Sequence, residues 1–367
     1  MELSLLMNAF DVQGRLVTIN PTGNGNVNDT FLAIFRNTFA EEQVILQRIN
    51  AVVFPDPQII MRNLHYLTAH VHPKLEAESD SADRVWQMPR IVKTREGKDF
   101  IADDTGNIWR VITKIASATA FDEAQNAEHA TECGAVLGHF HWLVSDLDTH
   151  TMVDPLKGFH ITPNYLAKYD AVLKTVPLAA ERLKASMEAR RMAIFIEDRR
   201  AFASTLQDAL TAGELSLRMM HGDPKVNNIM IDDYTGKGTA MIDLDTVSPG
   251  LVHYDFGDAL RSICNDAGED EQNLSKVVFD LDLCEAFCKG YMAHAKSFLT
   301  DADRHYLFDA IRLITFELGL RFFQDYLAGS VYFKTQHPEQ NLNRARVQFR
   351  LCESIEARER QIRMLLN

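Results

Sequence analysis

The first part of the chain contains short runs of apolar residues separated by turn residues. Residues 16–20 and 30–36 form two such stretches around a turn with two glycines, and 44–49 forms a third. Short apolar runs bounded by turn residues predict β-strands, and glycines between the first two strands predict a hairpin. The remaining elements expected in this part are a helix at 57–71 and strands at 90–95, 100–103 and 109–115.

From residue 122 onward, apolar residues recur every three or four positions, which predicts helices. The helical stretches are 122–145, 163–176, 178–211, 274–329 and 342–366, and two short β-like segments lie at 230–232 and 239–243. A chain of 367 residues exceeds one ordinary core, so two domains are expected. We predict an α+β, bilobal fold with a β-rich lobe at 1–115 and a helical lobe at 116–367.

Amino-acid composition and net charge limit which binding partners and which cellular compartment are expected. The formal net charge is −13, and a strongly acidic surface repels nucleic-acid phosphates. No apolar run approaches the roughly 20 residues that cross a bilayer. Five scattered cysteines and an N-terminus without a secretory pattern favour reduced thiols in a cytoplasmic protein. We expect a monomer or weak homo-oligomer that binds neither nucleic acid nor membranes.

Polar residues with a specific spacing follow the central helices. Segment 221–228 has the sequence HGDPKVNN, in which Asn228 comes five positions after Asp223, and Asp243 closes an apolar strand about fifteen residues later. Phosphoryl transfer requires a carboxylate that orients the attacking hydroxyl and oxygen ligands that hold Mg²⁺ against the phosphates. The spacing therefore predicts a phosphotransferase, although a lone His-Gly-Asp tripeptide is common.

These residues also carry a family resemblance. His-Gly-Asp-x-Lys-x-x-Asn with a downstream Ile-Asp-Leu-Asp resembles the aminoglycoside phosphotransferase and choline kinase superfamily, relatives of the protein kinases. The resemblance implies a protein-kinase-like fold, with ATP and Mg²⁺ as cofactors. It implies that Asp223 is the catalytic base, that Lys225 lies near the transferred phosphate, and that Asn228 and Asp243 bind the metal. Asp245 is either a second metal contact or a support for its loop.

The N-terminal hairpin is the candidate nucleotide site. Glycines let backbone N–H groups approach phosphates where Cβ atoms would obstruct, although a plain turn has the same pattern. Protein kinases place a lysine on the third strand, where this chain offers Gln47 and Arg48, and strand alternation lets only one face the cleft. The candidate nucleotide-binding residues are Gly23, Gly25, Asn28, Thr30, Gln47 and Arg48.

Three longer stretches resemble the N-acetylhexosamine 1-kinase branch: 242–261, 45–56 with 61–63, and 319–333 with 341–346. This resemblance implies transfer of the γ-phosphate of ATP to the anomeric hydroxyl of GlcNAc or GalNAc, giving a sugar 1-phosphate. The candidate acceptor residues are Asn26, Asp223, Arg321, Asp325 and Tyr332.

Three alternatives stay open at this point. Arg321 and Asp325 lie four positions apart, so they are equally consistent with an ion pair within one helix. The acceptor could be an aminoglycoside, choline or another alcohol. The absence of a third-strand lysine is also consistent with a nucleotide-binding pseudoenzyme. His221 and Asp255 are interpreted as residues that hold the catalytic loop rather than react.

Overall fold

The computed structural model describes residues 2–23, 27–78 and 84–366. The chain divides into two compact units. The first comprises Met1–Thr119, Asp146–Lys157 and Met230–Pro249, and the second comprises Ala120–Ser145, Gly158–Ile229 and Gly250–Asn367. The two short segments at 146–157 and 230–249 thus fold with the N-terminal part of the chain. The assignment of 1–115 to nucleotide binding and of 116–367 to catalysis stays a prediction.

The elements follow in chain order. Up to residue 144 they are α1 Leu3–Met7, β1 Arg15–Pro21, β2 Asp29–Arg36, β3 Glu41–Arg48, α2 Pro57–Glu78, β4 Ile91–Val92, β5 Ile101–Ala102, β6 Ile108–Thr113, β7 Ala118–Ala120 and α3 Ala127–Val144. They continue with α4 Thr162–Thr175, α5 Pro177–Ala185, α6 Met187–Arg199, α7 Thr205–Thr211, β8 Arg218–Met220, β9 Ile229–Asp232, β10 Gly238–Met241 and β11 Ser248–Gly250. The last are α8 Val252–Ile263, α9 Leu281–Ala295, α10 Asp301–His305, α11 Leu307–Ala328, α12 Gln340–Glu356 and α13 Glu359–Leu366.

The first unit is built on an antiparallel sheet in the order β1-β2-β3-β6-β4, with β5 also paired to β6. Side chains on alternate residues point to opposite faces. One face carries the apolar cluster that includes Ala33, Phe35, Val44, Leu46 and Val111, against which α1 packs. The other face is polar near the start of β2, and several of the candidate residues lie there.

The second unit is helical. Its tightest packing joins α3 and α9, where a Cβ added at Gly290 would lie 1.9 Å from the backbone oxygen of Thr131, and one at Gly134 would lie 2.1 Å from that of Phe287. These glycines let the two helix backbones meet. A second apolar cluster includes Phe316, Phe323 and other residues of α11 together with residues of α4, α6 and α12.

The α+β class is confirmed, with an antiparallel N-terminal sheet and a helical C-terminal part. Some sequence expectations were wrong in detail. The stretch 274–329 is divided among α9, α10 and α11. The stretch 178–211 is not one helix, because the Ser186 side chain caps a new helix by accepting from the Ala189 N–H. Helix α8 was not predicted at all. Among the described residues, no helix has the length and apolar character needed to cross a membrane.

Candidate active site

The loop after β8 brings three of the predicted residues together. The Lys225 ammonium lies 2.8 Å from the Asp223 carboxylate. The Asn228 side-chain amide donates to the backbone oxygen of Asp223 at 2.8 Å and to its carboxylate at 3.2 Å. The Asp223 side chain is 31% exposed, so it is accessible to a substrate. Asp223, Lys225 and Asn228 therefore lie together, as their spacing predicted. The Lys225 ammonium and the Asn228 amide both contact the Asp223 carboxylate.

The charge state of Asp223 follows from these contacts. Burial works to raise the pKa of Asp223, but the Lys225 ammonium, together with the nearby His221 and Arg261, brings that pKa below its ordinary value. The carboxylate is therefore ionised at neutral pH. An ionised carboxylate can accept a hydrogen bond from an alcohol and orient its oxygen for attack.

A buried carboxylate holds this loop from behind. The Asp255 side chain on α8 is fully buried and accepts from the backbone N–H groups of His221 and Gly222. It also contacts Nε2 of His141 at 2.8 Å, and Nδ1 of His141 lies 3.0 Å from the hydroxyl of Tyr291. His221 accepts from the Asp223 N–H through Nδ1 at 3.2 Å. Both expected loop-holding roles are confirmed.

A second buried group contacts the loop from another side. Nε2 of His160 lies 2.9 Å from the backbone oxygen of Gly222, and Nδ1 lies 3.1 Å from the carboxylate of Glu317 on α11. Thr162 donates to the other Glu317 oxygen at 2.6 Å. Both ring nitrogens of His160 face oxygen acceptors, so the geometry fits a doubly protonated imidazolium. Burial works to lower the pKa of His160, but Glu317 and the more distant Asp258 raise it above its ordinary value.

Replacement of His160 by glutamine is expected to lower the free energy of unfolding by about 1.5–3 kcal/mol at pH 6, since a charge-assisted hydrogen bond is lost. Because the pKa of His160 is raised on folding, its contribution is fully present below about pH 6.5 and is lost as pH rises through the folded-state pKa. Urea unfolding at pH 6 and pH 9 should show a smaller difference between wild type and variant at pH 9. The exposed His305→Gln is the control. Equal differences at both pH values would contradict the imidazolium assignment.

In the first unit, the two carboxylates of the Ile-Asp-Leu-Asp segment have different surroundings. Asp243 is exposed after β10 and has a left-handed backbone with φ of 61°, which aspartate tolerates better than most residues. Asp245 is buried, and its carboxylate accepts from Arg110 and, at 2.7 Å, from Asn28. Both oxygens of Asp245 therefore bind protein donors, which favours support of the loop. A metal contact from Asp245 stays a prediction.

The third strand resolves the orientation of the two candidate side chains. Gln47 lies directly between Thr30 on β2 and Arg110 on β6 in the strand register. Its amide nitrogen donates to Thr30 at 3.3 Å, and its amide oxygen accepts from two guanidinium nitrogens of Arg110 at 3.0 and 2.7 Å. Arg48 lies on the opposite face, paired with Asp29. Gln47 and Asp245 therefore both bind Arg110, whereas Arg48 lies on the other face of the sheet.

The hairpin before β2 is described in part. The Thr22 N–H donates to the Thr30 oxygen at 2.9 Å, and Gly23 has φ of 76° with open space where a Cβ would stand. Gly25 and Asn26 lie outside the described residues. The predicted hairpin is confirmed by the β1–β2 pairing, while contact of its residues with a nucleotide stays a prediction.

The acceptor candidates lie on and after α11. Among the described residues, Asp325 forms no ion pair with Arg321, so that alternative is wrong. The Asp325 carboxylate instead accepts from the backbone N–H groups of residues 331–333 and from Asn341. The Arg321 guanidinium lies among three aromatic rings, with centroid distances of 5.3, 5.1 and 5.7 Å to Phe159, Tyr165 and Phe333 respectively. Tyr332 is 60% exposed on the loop that Asp325 holds.

The donor chemistry in each unit suits a hard divalent cation. Because the nitrogen of the Asn228 amide donates to Asp223, the amide oxygen is oriented as the group left to accept or ligate. Asp243 presents an exposed carboxylate. Mg²⁺ prefers oxygen ligands of these two kinds. Asn228 in the second unit and Asp243 in the first therefore each offer an oxygen ligand that suits Mg²⁺. Binding of Mg²⁺ by either residue stays a prediction.

Known proteins share the family pattern and the fold of this chain. The model of the phosphotransferase enzyme family matches residues 18–291. Among solved structures, the chain is similar to a choline kinase from Cryptosporidium parvum Iowa II, with 12% identity, coverage of 98% of this chain and 96% of that one, and a TM-score of 0.62.

Two more solved structures share the fold. An aminoglycoside phosphotransferase from Alicyclobacillus acidocaldarius is 14% identical, with coverage of 99% and 97% and a TM-score of 0.60. A microcompartment-associated aminopropanol kinase is 15% identical, with coverage of 100% and 99% and a TM-score of 0.57. At these identities the structures show the fold, and they confirm the protein-kinase-like class. The match over most of the chain shows that the protein belongs to the phosphotransferase enzyme family and is an enzyme of that class.

Proposed function

We propose that the protein transfers the γ-phosphate of ATP to the anomeric hydroxyl of an N-acetylhexosamine, giving a sugar 1-phosphate and ADP. The observation that carries the phosphotransfer is the Asp223 carboxylate, which is accessible and ionised and which contacts both Lys225 and Asn228 within one loop. The resemblance of the stretches around residues 45, 242 and 319 to N-acetylhexosamine 1-kinases supports the acceptor class.

In this mechanism, Asp223 accepts the hydrogen bond of the sugar hydroxyl and orients its oxygen toward the γ-phosphorus. The hydroxyl proton passes to Asp223 as the new oxygen–phosphorus bond forms and ADP leaves. Lys225 lies within reach of the transferred group and offsets its negative charge. Asn228 in the second unit and Asp243 in the first would each offer an oxygen ligand to Mg²⁺, which supplies positive charge against the phosphates when bound.

The surroundings of Arg321 favour a neutral acceptor over a cationic one. The Arg321 guanidinium is a fixed positive charge packed among three aromatic rings, and the charges of Glu317 and Asp258 act on it from nearby. It lies one helical turn from Glu317, which connects through His160 to the loop that carries Asp223. A cationic acceptor such as choline or an aminoglycoside would be repelled there, whereas a sugar offers hydroxyl and amide oxygens that a guanidinium can bind.

The acceptor assignment is tested by ADP release with GlcNAc, GalNAc, choline, kanamycin and 1-amino-2-propanol as acceptors, each with ATP and Mg²⁺. We expect turnover with the two sugars and at least tenfold lower kcat/KM with the cationic compounds. Methyl glycosides of the same sugars, whose anomeric oxygen is blocked, are the matched controls and should give no turnover.

Three results would overturn parts of the proposal. Equal turnover of a methyl glycoside and its free sugar would exclude the anomeric oxygen as the site of transfer. Preference for choline, kanamycin or aminopropanol would replace the acceptor class but retain the phosphotransferase chemistry. ATP binding without turnover of any acceptor would favour the pseudoenzyme alternative.

A further inference from the structure

Arg110 is a buried cation inside the sheet of the first unit. The residue is 2% exposed, on β6. Its Nε and Nη2 donate to the Gln47 amide oxygen, and Nη2 also donates to the Asp245 carboxylate. Gln47 is held in turn by Thr30, and Asp245 by Asn28. Two of the three guanidinium nitrogens are therefore fixed by neighbours that are themselves fixed.

The third nitrogen of this guanidinium has no acceptor. Nη1 of Arg110 is buried and has no hydrogen-bond partner within the described part of the chain. Arg110 sits beside the group of residues expected to border a nucleotide, and a buried donor without a partner is costly unless a ligand or water satisfies it. Since the guanidinium is planar, fixing Nε and Nη2 also fixes the direction in which the Nη1 hydrogens point.

The neighbouring residues indicate what kind of acceptor Nη1 would meet. Strand β3 has the sequence EEQVILQR and contains no lysine, and its Arg48 pairs with Asp29 on the opposite face of the sheet. Asn28 lies at the base of the glycine-containing hairpin and shares the Asp245 carboxylate with Arg110. A rigid guanidinium beside such a hairpin is well suited to a phosphate oxygen, since arginine matches phosphate geometry.

We propose that Arg110 binds a phosphate oxygen of the nucleotide through Nη1, in place of the lysine that protein kinases carry on the third strand. Gln47 and Asp245 are positioning residues in this arrangement, since they hold the guanidinium and do not contact the phosphate. The inference rests on the proposed function, because it takes the nucleotide as the ligand. Sequence position alone would have given the phosphate contact to a residue of β3. The inference gives it to Arg110 of β6.

The test compares binding of ATP, ADP and adenosine by isothermal titration calorimetry to wild type, Arg110→Lys and Gln47→Met. Lysine keeps the charge but loses the planar fork, and Gln47→Met removes one anchor while leaving Arg110 and Asp245 in place. We expect Arg110→Lys to weaken ATP binding by about 10- to 100-fold, with adenosine affinity within about twofold of wild type. Gln47→Met should weaken ATP binding less than Arg110→Lys does and should leave adenosine binding unchanged.

Arg36→Met is the matched control, because Arg36 lies in the same sheet but is exposed and paired with Glu41. It should bind ATP as wild type does, and thermal unfolding of each variant checks that it is folded. Equal losses for ATP and adenosine in Arg110→Lys, or no loss for ATP in either variant, would overturn the role of Arg110.

These outcomes separate the inference from the proposed function. Wild-type binding of ATP without transfer to any sugar would reject the acceptor assignment and leave the Arg110 comparison valid. Wild type that binds none of the three ligands would reject both.

Discussion

Asp223→Asn is expected to lower the turnover number by about 10²- to 10⁴-fold, the range for loss of a group that accepts a proton in the transition state. Asparagine has nearly the shape of aspartate, so the loop around it should keep its course. Its amide cannot accept the hydroxyl proton, and it removes the charge that attracts Lys225. The loss should appear in kcat more than in KM, because Asp223 acts on the reacting oxygen rather than on substrate affinity alone.

ADP release with saturating ATP and GlcNAc measures this loss, and calorimetry measures whether ATP still binds. Asp266→Asn, an exposed carboxylate in the same unit, is the control and should retain wild-type turnover. An Asp223→Asn enzyme with wild-type kcat would exclude Asp223 as the orienting carboxylate. Loss of ATP binding together with turnover would instead indicate a damaged site, and the catalytic role would then require Asp223→Glu as a further variant.

The catalytic loop could be predicted from sequence because its chemistry is local. Asp223, Lys225 and Asn228 lie within six positions, so their spacing alone brings the side chains together. The first hairpin and third strand were predictable for a similar reason, since short apolar runs flank a turn with two glycines, and side chains within each strand alternate between its two faces. Alternation also implied that only one of Gln47 and Arg48 could face the candidate site, and the structure shows that Gln47 is the one beside Asp245.

The pairing of Arg110 could not be predicted in the same way. Its partners Gln47 and Asp245 are 63 and 135 positions distant in sequence; the sheet register brings Gln47 to Arg110, whereas Asp245 comes from the turn after β10, outside that sheet. One signal was present, because an arginine between the apolar residues Trp109 and Val111 of a strand must be paired if it is buried. That signal indicates a buried charge but does not identify its partners.

Helix α8 was missed although its sequence has a helical period. Its polar residues Asp255, Asp258 and Arg261 are buried, where a surface helix would expose them. Asp258 and Arg261 pair with each other at 2.8 Å, and Asp255 binds the catalytic loop. In the sequence these polar positions recur every three residues while apolar residues recur at 252, 256, 259, 260 and 263, so a helical period was present although most of the helix is buried. The polar side chains of α8 bind groups inside the protein and do not face solvent.

The same buried carboxylate gives the largest expected loss of stability. Asp255→Ala should lower the free energy of unfolding by about 3–5 kcal/mol, because removal of a buried charge leaves His141 and two backbone N–H groups without their acceptor. Burial works to raise the pKa of Asp255, but the hydrogen bond and charge of His141 and the contacts with His221 lower it below its ordinary value. The contribution is therefore present above about pH 4 and is lost as pH falls through the folded-state pKa.

Urea unfolding from pH 3 to pH 7 measures this contribution as the difference between wild type and Asp255→Ala. The difference should be constant from pH 5 to pH 7 and should shrink below about pH 4. Asp266→Ala, which removes an exposed carboxylate from the same unit, should change stability by no more than about 0.5 kcal/mol. A loss for Asp255→Ala as small as that of the control would mean that the loop carrying Asp223 keeps its conformation without the buried carboxylate, and the support assigned to α8 would be wrong.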